Sequence, residues 1–133
     1  MILSTQTHVA AERFGDAEAV RVIAAAGFDA IDFSMFEDYN AQYLFSDGYK
    51  EYIAQVKAAA DECGVYFNQA HAPFPSYRVG DDEYNEMIFP RLIRAIEIAG
   101  LLGVKNIIIH PVFVPENKKE FNMNMYNSLL PYA

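Results

Sequence analysis

The sequence predicts an α/β chain in which parallel strands alternate with helices, and three observations predict it. One pattern, a helical stretch, a glycine and then an apolar strand, occurs three times: "AVRVIAAAGFDAIDFS", "YIAQVKAAADECGVYFNQAH" and "LIRAIEIAGLLGVKNIIIH". The repeat glycines Gly27, Gly64 and Gly103 are spaced about 40 residues apart, which marks one supersecondary unit copied along the chain. Each strand is apolar and rich in Ile, Val or Phe, as a buried parallel strand should be.

Each element has a local reason. "MILST" reads as a first strand, with Asp16 as the cap of the first helix. The helices carry apolar residues at helical period: Val20, Ile23 and Ala24; Ile53, Val56 and Ala60; Leu92, Ile96 and Ala99. Each closes at a glycine suited to a left-handed cap. Asp81, Asp82 and Glu83 form an acidic set for a helix N-terminus. Glu97 is expected on a solvated helix face, "PENKKEF" in a solvated loop, and "NMNMYNSLLPYA" at the beginning of a further helix.

Strand–helix alternation implies right-handed crossovers and a parallel sheet, either open and doubly wound or closed as a (β/α) barrel. No glycine-rich phosphate loop follows the first strand, which disfavours the dinucleotide-binding form. The repeat length and the long loops after the strands favour a barrel of TIM type. Such a barrel has eight units in about 250 residues. The 133 residues hold about four. The expectation is therefore an α/β partial barrel, residues 1–133 being the N-terminal half with the C-terminal half absent. Two open sheet edges and an apolar inner face, with Ile31, Phe33, Phe67, Ile107 and Ile109 shared between it and the helix side, lead one to expect a homo-oligomer or a missing second half.

Composition narrows the function. More than half of the residues are hydrophobic, enough for one domain with a core. The formal net charge of −8 argues against nucleic acid and anionic membranes as partners. No run approaches the roughly 18–20 apolar residues of a membrane span. "MILSTQTH" lacks the basic region of a secretory leader, and the single cysteine, Cys63, fits a reducing cytoplasm. Cys63 reads either as a nucleophile or, more plainly, as a helix-end packing residue.

All three histidines fall at predicted strand ends, the place where barrel sites are built. His71 and His110 stand at the same offset from Gly64 and Gly103, so they are expected side by side at the strand C-terminal rim. Ser34 has that offset from Gly27, with Asp32 two residues before it. His8 ends the first strand. Imidazoles there can bind a divalent metal or hydrogen-bond a sugar hydroxyl, and a buried Asp32 needs a partner. Each histidine can equally be a loop or core residue with a satisfied hydrogen bond. In the loops, Phe36, Tyr39, Tyr43, Phe45, Phe74 and Tyr77 offer aromatic faces for sugars, or simply pack the rim. Arg78 offers a grip for anions.

"AAAGFDAIDFS", "ECGVYFNQAHAPF" and "AGLLGVKNIIIHPVF" resemble the xylose-isomerase-like barrel superfamily, over nearly all of this chain and about half of that fold. The superfamily includes sugar-phosphate isomerases and epimerases, inosose dehydratase-like enzymes and nucleases of the apurinic endonuclease IV type. The resemblance implies a sugar or sugar phosphate isomerase or epimerase, moving a proton between adjacent sugar carbons with a divalent metal (Mn, Co, Mg or Zn). The half-chain is expected to be incomplete for catalysis. Substrate-binding candidates are His71, His110, Asp32, His8, Phe36, Tyr77 and Arg78, toward a small-molecule sugar or polyol. His71 and His110 match zinc ligands in the nuclease branch and are the metal candidates. Two alternatives remain: a metal-dependent endonuclease at abasic sites, and a non-catalytic half-barrel that binds a ligand or assembles.

Overall fold

A computed structural model describes residues 1–35 and 38–133, with the side chain of residue 38 also outside the description. In chain order the elements are β1 (Ser4–Gln6), α1 (His8–Phe14), α2 (Asp16–Ala25), β2 (Ala30–Ser34), α3 (Asp38–Leu44), α4 (Tyr49–Cys63), β3 (Tyr66–His71), α5 (Asp82–Leu101), β4 (Ile107–Ile108) and α6 (Lys118–Leu129). A 3₁₀ turn, Leu130–Tyr132, follows α6. The four strands are parallel, in the order β1-β2-β3-β4, with helices along one side. This is an α/β fold and part of a TIM-type barrel, as the repeat predicts.

The helix side of the sheet is the core. Ile31 and Phe33 of β2 are fully buried there, Phe67 of β3 nearly so, and the rings of Phe33 and Phe67 meet edge to face at 5.8 Å. Val20 and Ile23, Ile53 and Val56, and Leu92 and Ile96 pack onto them from α2, α4 and α5. The three glycines punctuate the helices as expected, with φ of +90° at Gly27, +70° at Gly64 and +75° at Gly103.

Side chains alternate across a strand, so the residues between the core positions face the concave side. They are Ser4, Gln6, Asp32, Ser34, Gln69 and His71, paired in register as Ser4 with Ala30, Gln6 with Asp32, Asp32 with Gln69 and Ser34 with His71. The expected apolar inner face is thus corrected. Ile31, Phe33 and Phe67 lie in the core, Ile107 and Ile109 pack against it, and the concave face is mainly polar, with Ala30 opposite Ser4 and Ile108 opposite His71. A register shift between β2 and β3 leaves Asn68 without a register partner, so Phe67 opposes Ile31 and Gln69 opposes Asp32. The Ser4 hydroxyl reaches across to Asn68 Oδ1 at 2.9 Å.

Other local expectations differ. Asp16 does not cap a helix: Gly15 is the N-cap of α2, and Asp16 is buried, 1% exposed. The first helix is α1, opened by His8 directly after β1. The acidic set does mark a helix N-terminus, as expected: α5 begins at Asp82 and runs through Pro90. Asp81 caps it, accepting from the Tyr84 N–H at 3.1 Å, with Asp82 and Glu83 in the first turn. Lys118–Phe121 of "PENKKEF" are helical, the first turn of α6. Asn122 makes that possible. Its side chain is buried and bonds the Val112 N–H at 2.6 Å, the Val112 carbonyl at 3.0 Å and the Lys118 carbonyl at 2.8 Å, holding the incoming loop against the helix. Cys63 ends α4 and is exposed.

Candidate functional site

The C-terminal ends of the parallel strands carry one connected group. Asp32, 7% exposed, is the middle residue of β2, two before its end. Its Oδ2 accepts from Gln69 Nε2 at 2.7 Å and its Oδ1 lies 2.9 Å from His71 Nδ1. These bonds answer the need of a buried carboxylate for donors. They also orient the ring: with the carboxylate accepting, Nδ1 carries the hydrogen, so lone-pair chemistry of a neutral His71 runs through Nε2.

His110 joins this group by stacking. Its ring centroid lies 5.6 Å from that of His71, at 29° between planes. The heights differ from the equal-offset expectation. The register partner of His71 is Ile108, and His110 follows two residues later, beyond β4. Two residues preserve the face, which is why the rings still meet. Phe74 extends the row, edge-on to His110 at 5.1 Å and 57% exposed. Carboxylate, amide and two imidazoles beside an exposed aromatic ring are groups that hydrogen-bond hydroxyls and cover C–H faces.

The other candidates stand apart. His8 does not end a strand; it is half-buried and begins α1. Tyr77 packs against Phe121 of α6 at 4.8 Å. Arg78 turns to α5, its guanidinium 3.8 Å from the centre of the Tyr84 ring and 3.7 Å from Asp81. Phe36 lies outside the described residues. Gln69 was not anticipated. Its one sequence signal is its place two residues before His71, on the same strand face.

Metal fit can be tested on this geometry. Among the described residues, no three His, Cys, Asp or Glu side chains stand together so as to hold a metal ion. His71 and His110 alone offer two nitrogens, short of a usual ligand set, so these residues do not fit a resident metal by themselves. Among the described residues no helix is long and apolar enough to cross a membrane.

The family model for the Xylose isomerase-like TIM barrel matches residues 20–131. The chain belongs to this family. Its fold resembles that of 3-keto-D-glucoside 4-epimerase, YcjR, from E. coli in the apo form, with a TM-score of 0.66 and 20% identity, covering 100% of this chain and 52% of that one. It also resembles a sugar phosphate isomerase/epimerase from Parabacteroides distasonis, with a TM-score of 0.53 and 18% identity, over 98% of this chain and 45% of the other. At these identities the likeness shows the fold. The chain spans about half the length of each. Among curated proteins none matches.

Proposed function

We propose that the concave rim of this Xylose isomerase-like half-barrel binds a sugar or sugar phosphate, as part of an isomerase- or epimerase-type site. The observation that carries this reading is the Asp32 carboxylate holding Gln69 and His71 on one face, beside His110 and the exposed Phe74. Sugar enzymes of this fold, as named above, support the substrate class. In this reading His71 Nε2 and His110 hydrogen-bond adjacent hydroxyls, Asp32 keeps the His71 ring in place, and Phe74 covers the C–H face of the sugar. Arg78, drawn to Tyr84 and Asp81, is not the phosphate grip. The two imidazoles do not make a metal site, so binding and orientation are the roles these residues fill. A divalent metal and the acid–base pair would be held by groups beyond them. Further strands beside β1 and β4, from a second copy or from additional chain, would close the barrel.

The test is a titration of the chain with D-glucose, D-fructose and D-fructose 6-phosphate, followed through the imidazole ¹⁵N signals. At least one sugar is expected to move His71 and His110 saturably and together. Asp32→Ala should weaken that binding by about tenfold, the worth of one charge-assisted hydrogen bond. Imidazole signals unmoved by millimolar amounts of all three sugars would sink the reading.

A further inference from the structure

A second buried polar cluster lies behind the rim. Oδ2 of Asp16, at the start of α2, accepts twice: from the Tyr52 hydroxyl of α4 at 2.9 Å and from Asn40 Nδ2 of α3 at 3.3 Å. Asn40 is fully buried and gives the same amino group to the carbonyl of Ser34, the last residue of β2, at 3.0 Å. Asp16 Oδ1 and Asn40 Oδ1 are also buried, and neither meets a donor among the described residues. A carboxylate oxygen and an amide oxygen only accept, so two such atoms cannot satisfy each other. A proton on Asp16 Oδ1 would make it a donor, on a carboxyl whose other oxygen the Asn40 amide already bonds. We propose that Asp16 is a neutral carboxylic acid whose Oδ1–H donates to Asn40 Oδ1, closing a two-bond acid–amide pair that latches α3 to the end of β2 and loosens when Asp16 ionises.

The surroundings suit such a group. Burial pushes the Asp16 carboxyl up to about 6, against the opposing bonds from Tyr52 and Asn40. Burial and then Asp16 itself push the Tyr52 hydroxyl well above its usual range, so it stays a donor throughout. The titratable neighbours among the described residues are few. Tyr43 of α3 stacks on Tyr52 at 4.9 Å, and Tyr39 lies on the same helix. From α1 come His8, half-buried, and Glu12 and Arg13, both exposed. Glu18 and Arg21 of α2 pair at the surface, where Arg21 also reaches Glu62 of α4.

The latch bears on the strand that carries Asp32. Ser34 pairs in register with His71, and the next N–H, of Met35, bonds the His71 carbonyl at 3.0 Å. Asn40 is thereby a positioning residue for the rim. That consequence rests on the rim being the binding site; the acid–amide pair does not.

The test follows the ¹³C signal of the Asp16 carboxyl from about pH 4 to about pH 8 in the full chain, assigned by its loss in Asp16→Asn. The expected midpoint is near 6, the Asn40 side-chain amide signals share it, and amide exchange across α3 accelerates by about tenfold above it. Asp16→Asn supplies a permanent N–H toward Asn40 Oδ1. It should keep α3 protected at every pH. An Asp16 carboxyl titrating in the ordinary range would overturn the proposal, and so would α3 loosened at all pH in Asp16→Asn. Should the variant not fold, the Asp16 carboxyl is assigned in the unaltered chain by through-bond correlation to its own backbone, and that titration decides alone.

Discussion

Stability against pH is where the buried Asp16 should show most directly. Its carboxyl rises from an ordinary value of 3.8 to about 6 on folding, chiefly by burial. The folded chain therefore holds this proton more tightly than the unfolded chain. The stabilising contribution is complete below about pH 3.8 and is lost as pH rises through about 6. Each tenfold gain in proton affinity on folding is worth about 1.36 kcal/mol, so the whole contribution is about 3 kcal/mol. Other carboxylates titrate in the same window, and Asp16→Asn removes only this one. Urea unfolding of both proteins between about pH 4 and about pH 7 isolates the difference. With a slope of about 2 kcal/mol per molar urea, the unaltered chain should lose about 1.5 M in midpoint relative to the variant. Parallel pH profiles for the two proteins would refute the reasoning, because they would mean that Asp16 titrates alike in both states.

Further expectations concern the core, one turn and the rim. Phe33→Ala empties a fully buried site against Phe67 and should cost about 3–5 kcal/mol in urea unfolding. Gly64→Ala meets no atom within 4 Å of the new Cβ, but φ is +70°, so the loss should be backbone strain alone, about 1–2 kcal/mol by the same measurement. Asp32→Ala removes the acceptor opposite His71 Nδ1 and should shift His71 away from its Nδ1–H form; unchanged ¹⁵N imidazole shifts would contradict the orienting role. Arg78→Ala should leave sugar affinity within about twofold, since its guanidinium lies on Tyr84 and beside an exposed Asp81.

The sequence by itself determined the alternation of parallel strands and helices, the three glycine stops and the strand-end placement of His71 and His110. These follow from local periodicity and from the backbone freedom of Gly27, Gly64 and Gly103. Asp32 and Ser34 already alternate with Ile31 and Phe33 along Ala30–Ser34, but the register that sets them beside Gln69 and His71 on one concave face is tertiary. The α6 start was hidden because "KKE" reads as solvated, and only Asn122, bonded back to Val112, reveals why the chain turns there. Tertiary structure alone decided which polar residues meet. Asp32 reaches Gln69 and His71, 37 and 39 residues away, through a register set partly by the shift at Asn68. Asp16, read as a helix cap, is instead closed in by Asn40 and Tyr52, 24 and 36 residues further on. A carboxylate's partners and its proton depend on which side chains bury it, and no local pattern of residues specifies that.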